Sequence, residues 1–424
     1  MLIIGYFYCK EIPIAKFHYD ESHWIHTSSY FEILLSENSD SRFWDENYWT
    51  LTQPPVARYI IGLSRNIFGV DTDQLNDPWE FSLSYEENAA NGCLPSDHLL
   101  KISRLPMALI ATLTGTILFI LLLDGFGLVP SLIFLSFFIF NDYLKRILVR
   151  AMGDPPLVLF ITLSAFFCIK ALIAYKCFAR SKHNNDLEKA YLLFFISGFC
   201  CGLAAASKIN GFISCISIFA IVIGVTIISF PDMNTGEKLK LIIRICFVVA
   251  FASLFAFIII NPYLYSNPIV RMGRMYKFRF QEMAIQINGF PNQYINSIHD
   301  RYQVIQNQIF SDFMPFKFIG SNYLLMLLTI AGFINAVKSI YVWLTNHSGS
   351  PHVFVLSALF FPLAAAGYMS PLNWERYFVT CVVLNIVLIP SGIVFLSKII
   401  YPYITIIFNK SSYQTRTRKT RGNL

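Results

Sequence analysis

The stretch LPMALIATLTGTILFILLL, residues 105–123, decides the fold, because it runs for 19 residues without a charged side chain. A helix needs about 20 such residues to cross the hydrocarbon core of a bilayer. Comparable runs follow at about 128–144, 155–175, 190–206, 212–230, 242–260, 322–343, 353–370 and 377–399. Those at 128–144 and 190–206 are short, at 17 residues each, and need flanking turns to reach full length. Composition agrees: 55% of residues are hydrophobic and 14% charged, against about 25% charged in a soluble domain. The chain therefore reads as an all-α polytopic membrane protein, a single integral domain over 1–424. It has about nine transmembrane helices, or ten with an N-terminal segment. The net charge of +7 falls largely in short loops and the tail, where it sets orientation rather than attracting nucleic acid. The nine cysteines show no Cys-x-x-Cys spacing and read as small buried hydrophobes.

Two long polar stretches interrupt the apolar runs, at about 10–104 and 261–321. The first nine residues are apolar but too short to span and lack a signal-peptide cleavage pattern. They are either the remnant of a first helix or a surface-lying segment. PPVARYIIGLSRNIFG (54–69) carries Arg58 and Arg65 and suits a helix lying in the membrane interface. PIVRMGRMYKFRFQEM (268–283) places Arg271, Arg274 and Lys277 every third residue on an amphipathic pattern. It reads as a surface helix with basic side chains reaching toward lipid headgroups; the sharper alternative is a wall of a lipid-carrier entrance.

Alternating the spans gathers Lys170, Lys176, Arg180, Lys182 and Lys189, then Lys238, Lys240 and Arg244, then the tail with Lys410, Arg416, Arg418, Lys419 and Arg421 on one side. The excess of Lys and Arg makes that side cytoplasmic, so both long polar loops are exocytoplasmic. The two Asn-x-Ser sequons, at Asn346 and Asn409, then face the cytoplasm, where they stay unmodified. Lys145, Arg146 and Arg150 stand against the rule on the outer side and call for a local reason such as an anionic ligand.

The unusual polar residues converge on that outer face. Asp20 and Glu21 lie in FHYDESHW (17–24), and Arg104 in KISRLPMAL (101–109). Arg150 and Asp154 lie in RILVRAMGDPPL (146–157), Lys208 and Asn210 in LAAASKINGF (203–212), and Arg376 and Tyr377 in PLNWERYF (371–378). Ionisable groups at membrane depth are costly, so cations and acids repeated at helix ends need partners. The simplest shared partner is a phosphate, with a carboxylate nearby for proton transfer.

The ordered set DESHW, TQPPVARYIIGLSRNIFG, SRLPMAL, VRAMGDPPLVLF, GLAAASKING, NPYLYSNP and WERYF resembles lipid-carrier-dependent glycosyltransferases of the GT-C superfamily, in the protein O-mannosyltransferase and aminoarabinose-transferase group. The resemblance spans nearly the whole chain and implies a GT-C-like bundle whose two long exocytoplasmic loops bear interfacial helices. It implies inverting transfer of a mannose-like hexose from a polyprenyl- or dolichyl-phosphate carrier to a hydroxyl or phosphate acceptor. It makes Asp20 the catalytic carboxylate, with Glu21 as supporting neighbour, and matches Arg104, Lys208 and Arg376 to the residues holding the lipid phosphate. Arg150 and Asp154 join that expected binding set, Asp154 positioning the acceptor or orienting Arg150. Two features differ from the group. A complete transmembrane helix precedes the acidic pair there, and a charged residue or His often precedes the Pro-Pro, where this chain has Gln53.

Plainer readings stand beside these. Asp20-Glu21 alone would be a solvated acid pair, Arg104 and Arg376 would be interface anchors, and Asp154 before Pro155-Pro156 would cap a helix. His18, His23 and His26 invite a metal but lack a ligand pattern with a fourth partner, so no cofactor is expected. Protein, glycolipid and lipid acceptors remain open, as does an ER or a bacterial inner membrane location. Two other functions compete: a transporter or flippase of lipid-linked sugar, which calls for mid-membrane charges and inverted repeats, and a non-catalytic relative that binds the lipid carrier.

Overall fold

The computed structural model describes residues 1–36, 44–315, 321–346 and 349–421, with the side chains of 321 and 403–421 set apart. The tail cations from Lys410 onward and the sequons at Asn346 and Asn409 thus involve positions outside the described side chains. Short helices build the first polar stretch: α1 (Leu2–Glu11), α2 (Tyr19–His26), α3 (Tyr30–Leu35), α4 (Tyr48–Thr52), α5 (Val56–Ile67) and α6 (Tyr85–Ala90). The bundle follows with α7 (Asp97–Phe126), α8 (Leu128–Ile139), α9 (Asp142–Val149), α10 (Asp154–Ser181), α11 (Asn184–Ala205), α12 (Ile213–Ser229) and α13 (Thr235–Ile259). The second polar stretch holds α14 (Pro268–Gly289) and α15 (Ile298–Gln303), and the chain closes with α16 (Ser321–Asn346), α17 (His352–Tyr368) and α18 (Val379–Arg421).

Seven of these helices are long and apolar enough to cross a membrane, and α8 and α17 are shorter apolar helices. These nine apolar helices stand where nine apolar runs were read, and the chain is an integral multi-pass membrane protein. The run 128–144 nevertheless ends early. Asn141 interrupts it, its side chain accepting from the Leu144 amide at 2.8 Å and donating to the Phe313 carbonyl at 2.8 Å. That leaves α8 with 12 residues, about 18 Å of helix, and turns Lys145 and Arg146 into residues of the separate amphipathic helix α9.

Close helix approach rests on small residues, as expected where lipid supplies no hydrophobic drive between helices. A Cβ on Gly202 of α11 would collide with the Ser253 carbonyl of α13, and one on Gly392 of α18 with the Leu328 carbonyl of α16. α10 starts at Asp154 with two prolines in its first turn, where their missing N–H groups have no helical partner to lose.

The loop helices pack inward. α1 buries Ile4 and Tyr8 against α7 and α8, and the Tyr8 hydroxyl reaches the Phe138 carbonyl at 3.4 Å. α5 keeps an apolar exposed edge, with Leu63 at 48% and Ile67 at 70%, but its arginines do not snorkel. Arg65 is fully buried, paired with Glu32 at 2.8 Å and donating to Val70 O at 2.9 Å. Arg58 is buried over the Tyr30 ring and donates to the Trp49 and Gln53 carbonyls. The expected interfacial helix is therefore pinned to the loop by the cations that were to anchor it to headgroups, because unpaired backbone carbonyls and Glu32 offer better partners there. In the second stretch, an antiparallel bridge between Tyr294 and Leu372 ties the segment after α14 to the one that carries Trp374, Glu375 and Arg376.

Candidate active site

A cavity of about 1820 Å³ opens at one end of the bundle. Single-ligand pockets commonly occupy roughly 300–1,000 Å³, so this one has room for two reactants. Its lining comes from helix ends and from both polar loops: Asp20 of α2, Asp154 of α10, Lys208 after α11, Arg279 of α14 and Arg376 before α18.

Three cations surround one ring. Lys208 Nζ and the Arg376 guanidinium lie 5.6 Å and 5.5 Å from the centre of the Tyr377 ring, and Arg279 donates to its hydroxyl at 3.2 Å. Arg376 also pairs with Asp20 Oδ2 and packs over Trp374 at 5.5 Å. Lys208 is held by Asp154 at 2.7 Å, and the Asp154 side chain is only 3% exposed. The N-cap of α10 is Gly153, and the Asp154 carboxylate accepts from Lys208. Arg279 pairs with Glu282, which also accepts from the Tyr48 hydroxyl at 2.7 Å and from Gln286 at 3.1 Å. Burial and the neighbouring Glu282 push the Tyr48 phenol well above its ordinary range, keeping it a donor.

Glu21 and Arg104, expected among the catalytic and phosphate-holding groups, lie outside the cavity lining. Arg104 sits two turns inside α7, which starts earlier than the apolar run because Ser96 caps it. Its five N–H donors are all engaged: two to Glu21 at 2.7 and 2.6 Å, and three to the carbonyls of Ile12 (2.9 Å), Ala15 (2.7 Å) and Lys16 (3.3 Å). An arginine has five donors in all, so none remains for a phosphate. Glu21 also accepts from the amides of His18 and Ala151, both at 3.0 Å. The pair is a buried staple that fixes α2, and Asp20 with it, against α7 and the 150–153 turn. Arg150 sits behind the cavity wall, 6% exposed, with a buried Nε that has no hydrogen-bond partner among the described residues. Its neighbours among the outer cations are satisfied: Lys145 pairs with Asp142 at 2.8 Å and Arg146 with Glu375 at 3.1 Å.

The three histidines do not gather. His18 Nδ1 accepts the Asp20 amide at 3.2 Å, His23 Nε2 meets the Trp79 carbonyl at 2.7 Å, and His26 Nδ1 meets the Asn76 carbonyl at 2.9 Å. Burial, then the nearby Arg150 and Arg376, lower the His18 value to about 3, so its ring is neutral and caps α2. Among the described residues no group of three or more His, Cys, Asp or Glu side chains is placed to hold a metal ion.

Sequence reading did not single out Arg279, Glu282 and Tyr48. A signal existed in Arg279, Glu282 and Gln286 at i, i+3 and i+7, a polar stripe turned away from Arg274 and Lys277. That stripe makes α14 a wall of the cavity.

Helices, cavity and polar loops together define the class. The chain has the helical membrane fold of GT-C glycosyltransferases. The apo oligosaccharyltransferase of Archaeoglobus fulgidus matches it with a TM-score of 0.51 and 11% identity, over 96% of this chain and 51% of that one. ArnT from Cupriavidus metallidurans, solved bound to undecaprenyl phosphate, is similar at a TM-score of 0.42 and 14% identity, over 88% of this chain and 55% of that one. The chain thus spans about half the length of these solved structures. No curated protein sequence matches it. The dolichyl-phosphate-mannose-protein mannosyltransferase family matches residues 23–271, more than half of the 424 residues, and the chain belongs to that family.

Proposed function

We propose that the protein transfers a mannose-type sugar, with inversion, from a dolichyl- or polyprenyl-phosphate carrier to a hydroxyl acceptor in this cavity. The observation that carries the reading is the contact between Asp20 and Arg376 in a wall that also holds Lys208 and Arg279. A base and a set of phosphate-binding cations must flank one sugar for direct displacement, and these groups are adjacent.

In this mechanism the acceptor oxygen attacks the anomeric carbon and its proton passes to the Asp20 carboxylate. The bond from the anomeric carbon to the phosphate oxygen breaks, and its electron pair leaves with the phosphate. Lys208, Arg279 and Arg376 stabilise that charge as it develops. Arg offers a fork and Lys a point charge, and Asp154 orients Lys208. An arriving phosphate competes with Asp20 for Arg376, so donor binding frees the base at the moment it is needed. Arg150, expected in the binding set, lends positive potential from behind the wall. Glu21 and Arg104 act as positioning residues for Asp20.

The lining comes from the end of the bundle opposite Lys176, Arg180, Lys238 and Lys240, which by the positive-inside rule supports an exocytoplasmic site. The contact of Asp20 with an arginine weighs against a non-catalytic carrier-binding relative. The test is transfer by the purified full chain from dolichyl-phosphate-mannose, comparing the protein with Asp20→Asn. Transfer that survives this substitution in a well-folded protein would overturn the mechanism.

A further inference from the structure

The cavity has a second wall, chemically unlike the cation cluster. Tyr19 stacks on Trp79 with ring centres 4.6 Å apart, Trp79 meets Tyr85 at 5.8 Å, and Phe81 meets His23 at 5.4 Å. Tyr19, Phe81 and Tyr85 line the cavity and are 47%, 54% and 48% exposed, while Trp79 beneath them is 6% exposed. Large aromatic faces left open in a cavity are sites for flat apolar surfaces.

The same cavity carries carboxamide oxygens without partners. Gln53 Oε1, Gln286 Oε1 and Asn373 Oδ1 are buried atoms with no hydrogen-bond partner among the described residues, and all three residues line the cavity. Gln53 is 9% exposed and stands at the start of the Pro54-Pro55 turn. Buried acceptors are almost always satisfied, and the hydroxyl donors of a bound ligand or of ordered water would satisfy these three. A ligand with apolar faces and many hydroxyl donors matches both features. Asp20 joins the two walls, its carboxylate paired with Arg376 and its neighbour Tyr19 stacked on Trp79.

From the open aromatic faces beside Asp20 and the unpartnered carboxamide oxygens, we propose that the acceptor is itself a carbohydrate, its sugar ring lying on Phe81 and Tyr85 and a hydroxyl donating to Gln53. This rests on the glycosyltransferase reading above and names its acceptor class. A second sugar ring offers C–H faces to the aromatics and an attacking hydroxyl to Asp20.

The test uses the full chain in detergent micelles with three probes: mannobiose, maltose and a Ser/Thr-rich peptide. Binding is followed by tryptophan fluorescence, and transfer from dolichyl-phosphate-mannose is measured on the same sample. At least one disaccharide is expected to bind and accept sugar, with the peptide the poorer acceptor. Phe81→Ala and Tyr85→Ala are each expected to raise the disaccharide KM roughly tenfold, in line with the loss of one aromatic stacking contact, and Phe81→Tyr to restore it. Preferential transfer to the peptide, binding of neither disaccharide, or an unchanged KM in both alanine variants would overturn the carbohydrate acceptor. Binding of dolichyl phosphate, measured separately, reports on the cation wall. Its absence with disaccharide binding intact would overturn the donor reading and leave the acceptor inference standing.

Discussion

Glu21 and Arg104, 83 residues apart in sequence, form a buried ion pair in which every guanidinium donor is used and the carboxylate also accepts two backbone amides. Two neighbouring acids therefore have opposite fates. Glu21 is sealed into the frame, while Asp20 projects into the cavity. The direction of α2, set by the His18 cap and the Glu21 staple, decides which carboxylate meets a substrate.

Removing one partner of this pair leaves an uncompensated buried charge, which costs about 3–5 kcal/mol. Arg104→Ala and Glu21→Ala are expected to lower the thermal midpoint of the detergent-solubilised protein strongly. The double substitution should cost less than the sum of the two. Additive losses in a thermal-shift series would show that the pair is not coupled.

Asp20→Asn should behave in the opposite way. Its pair with Arg376 borders the cavity, at 16% and 18% exposed, and is not sealed from water as the Glu21–Arg104 pair is. The substitution is expected to leave the thermal midpoint nearly unchanged and to cut transfer by about 10²–10⁴-fold, the usual contribution of a general base. A rate assay beside a melting curve distinguishes it from the Glu21 variants.

Lys208, Arg279 and Arg376 share one anion in the proposed mechanism. Each alanine substitution is expected to weaken dolichyl phosphate binding by about 10–100-fold, the equivalent of one hydrogen bond to a charged group. Arg376→Lys should recover only part, since an ammonium cannot reproduce the fork. Because Glu282 holds Arg279, Glu282→Gln should weaken binding less than Arg279→Ala. Equal losses in a binding titration would show that Glu282 acts on the ligand directly.

His18 gives the acid response. Its value in the fold is about 3, against about 6.5 in an unfolded chain. Between these values the unfolded chain takes up a proton that the fold refuses. Stability is therefore full above about 6.5 and falls as pH drops toward 3, by at most about 1.4 kcal/mol per pH unit. The slope should be shallower than that limit because the side chain is 31% exposed. His18→Asn keeps a capping acceptor without the titration and should flatten the thermal midpoint between pH 7 and pH 5. An identical slope in both proteins would assign acid sensitivity elsewhere.

The sequence by itself determined the membrane class, the positions of nine apolar helices, the two polar loops and the acidic pair, because hydrophobic length and local motifs are written in contiguous residues. It also named four charged residues of the cavity lining: Asp20, Asp154, Lys208 and Arg376 sit at helix ends, where a charge in an apolar chain is conspicuous. Tertiary structure decided which of those charges face a substrate. Nothing in KISRLPMAL distinguishes an arginine at an open mouth from one whose five donors are consumed, since its partners come from residues 12–21. Arg58 and Arg65 likewise look like interface anchors until Tyr30 and Glu32 arrive from another helix. Arg279 enters the site only because α14 turns one narrow stripe toward Tyr377, more than 90 residues away in the chain. Long-range pairing consumes or releases a donor, and that outcome is a property of packing rather than of any local word in the sequence.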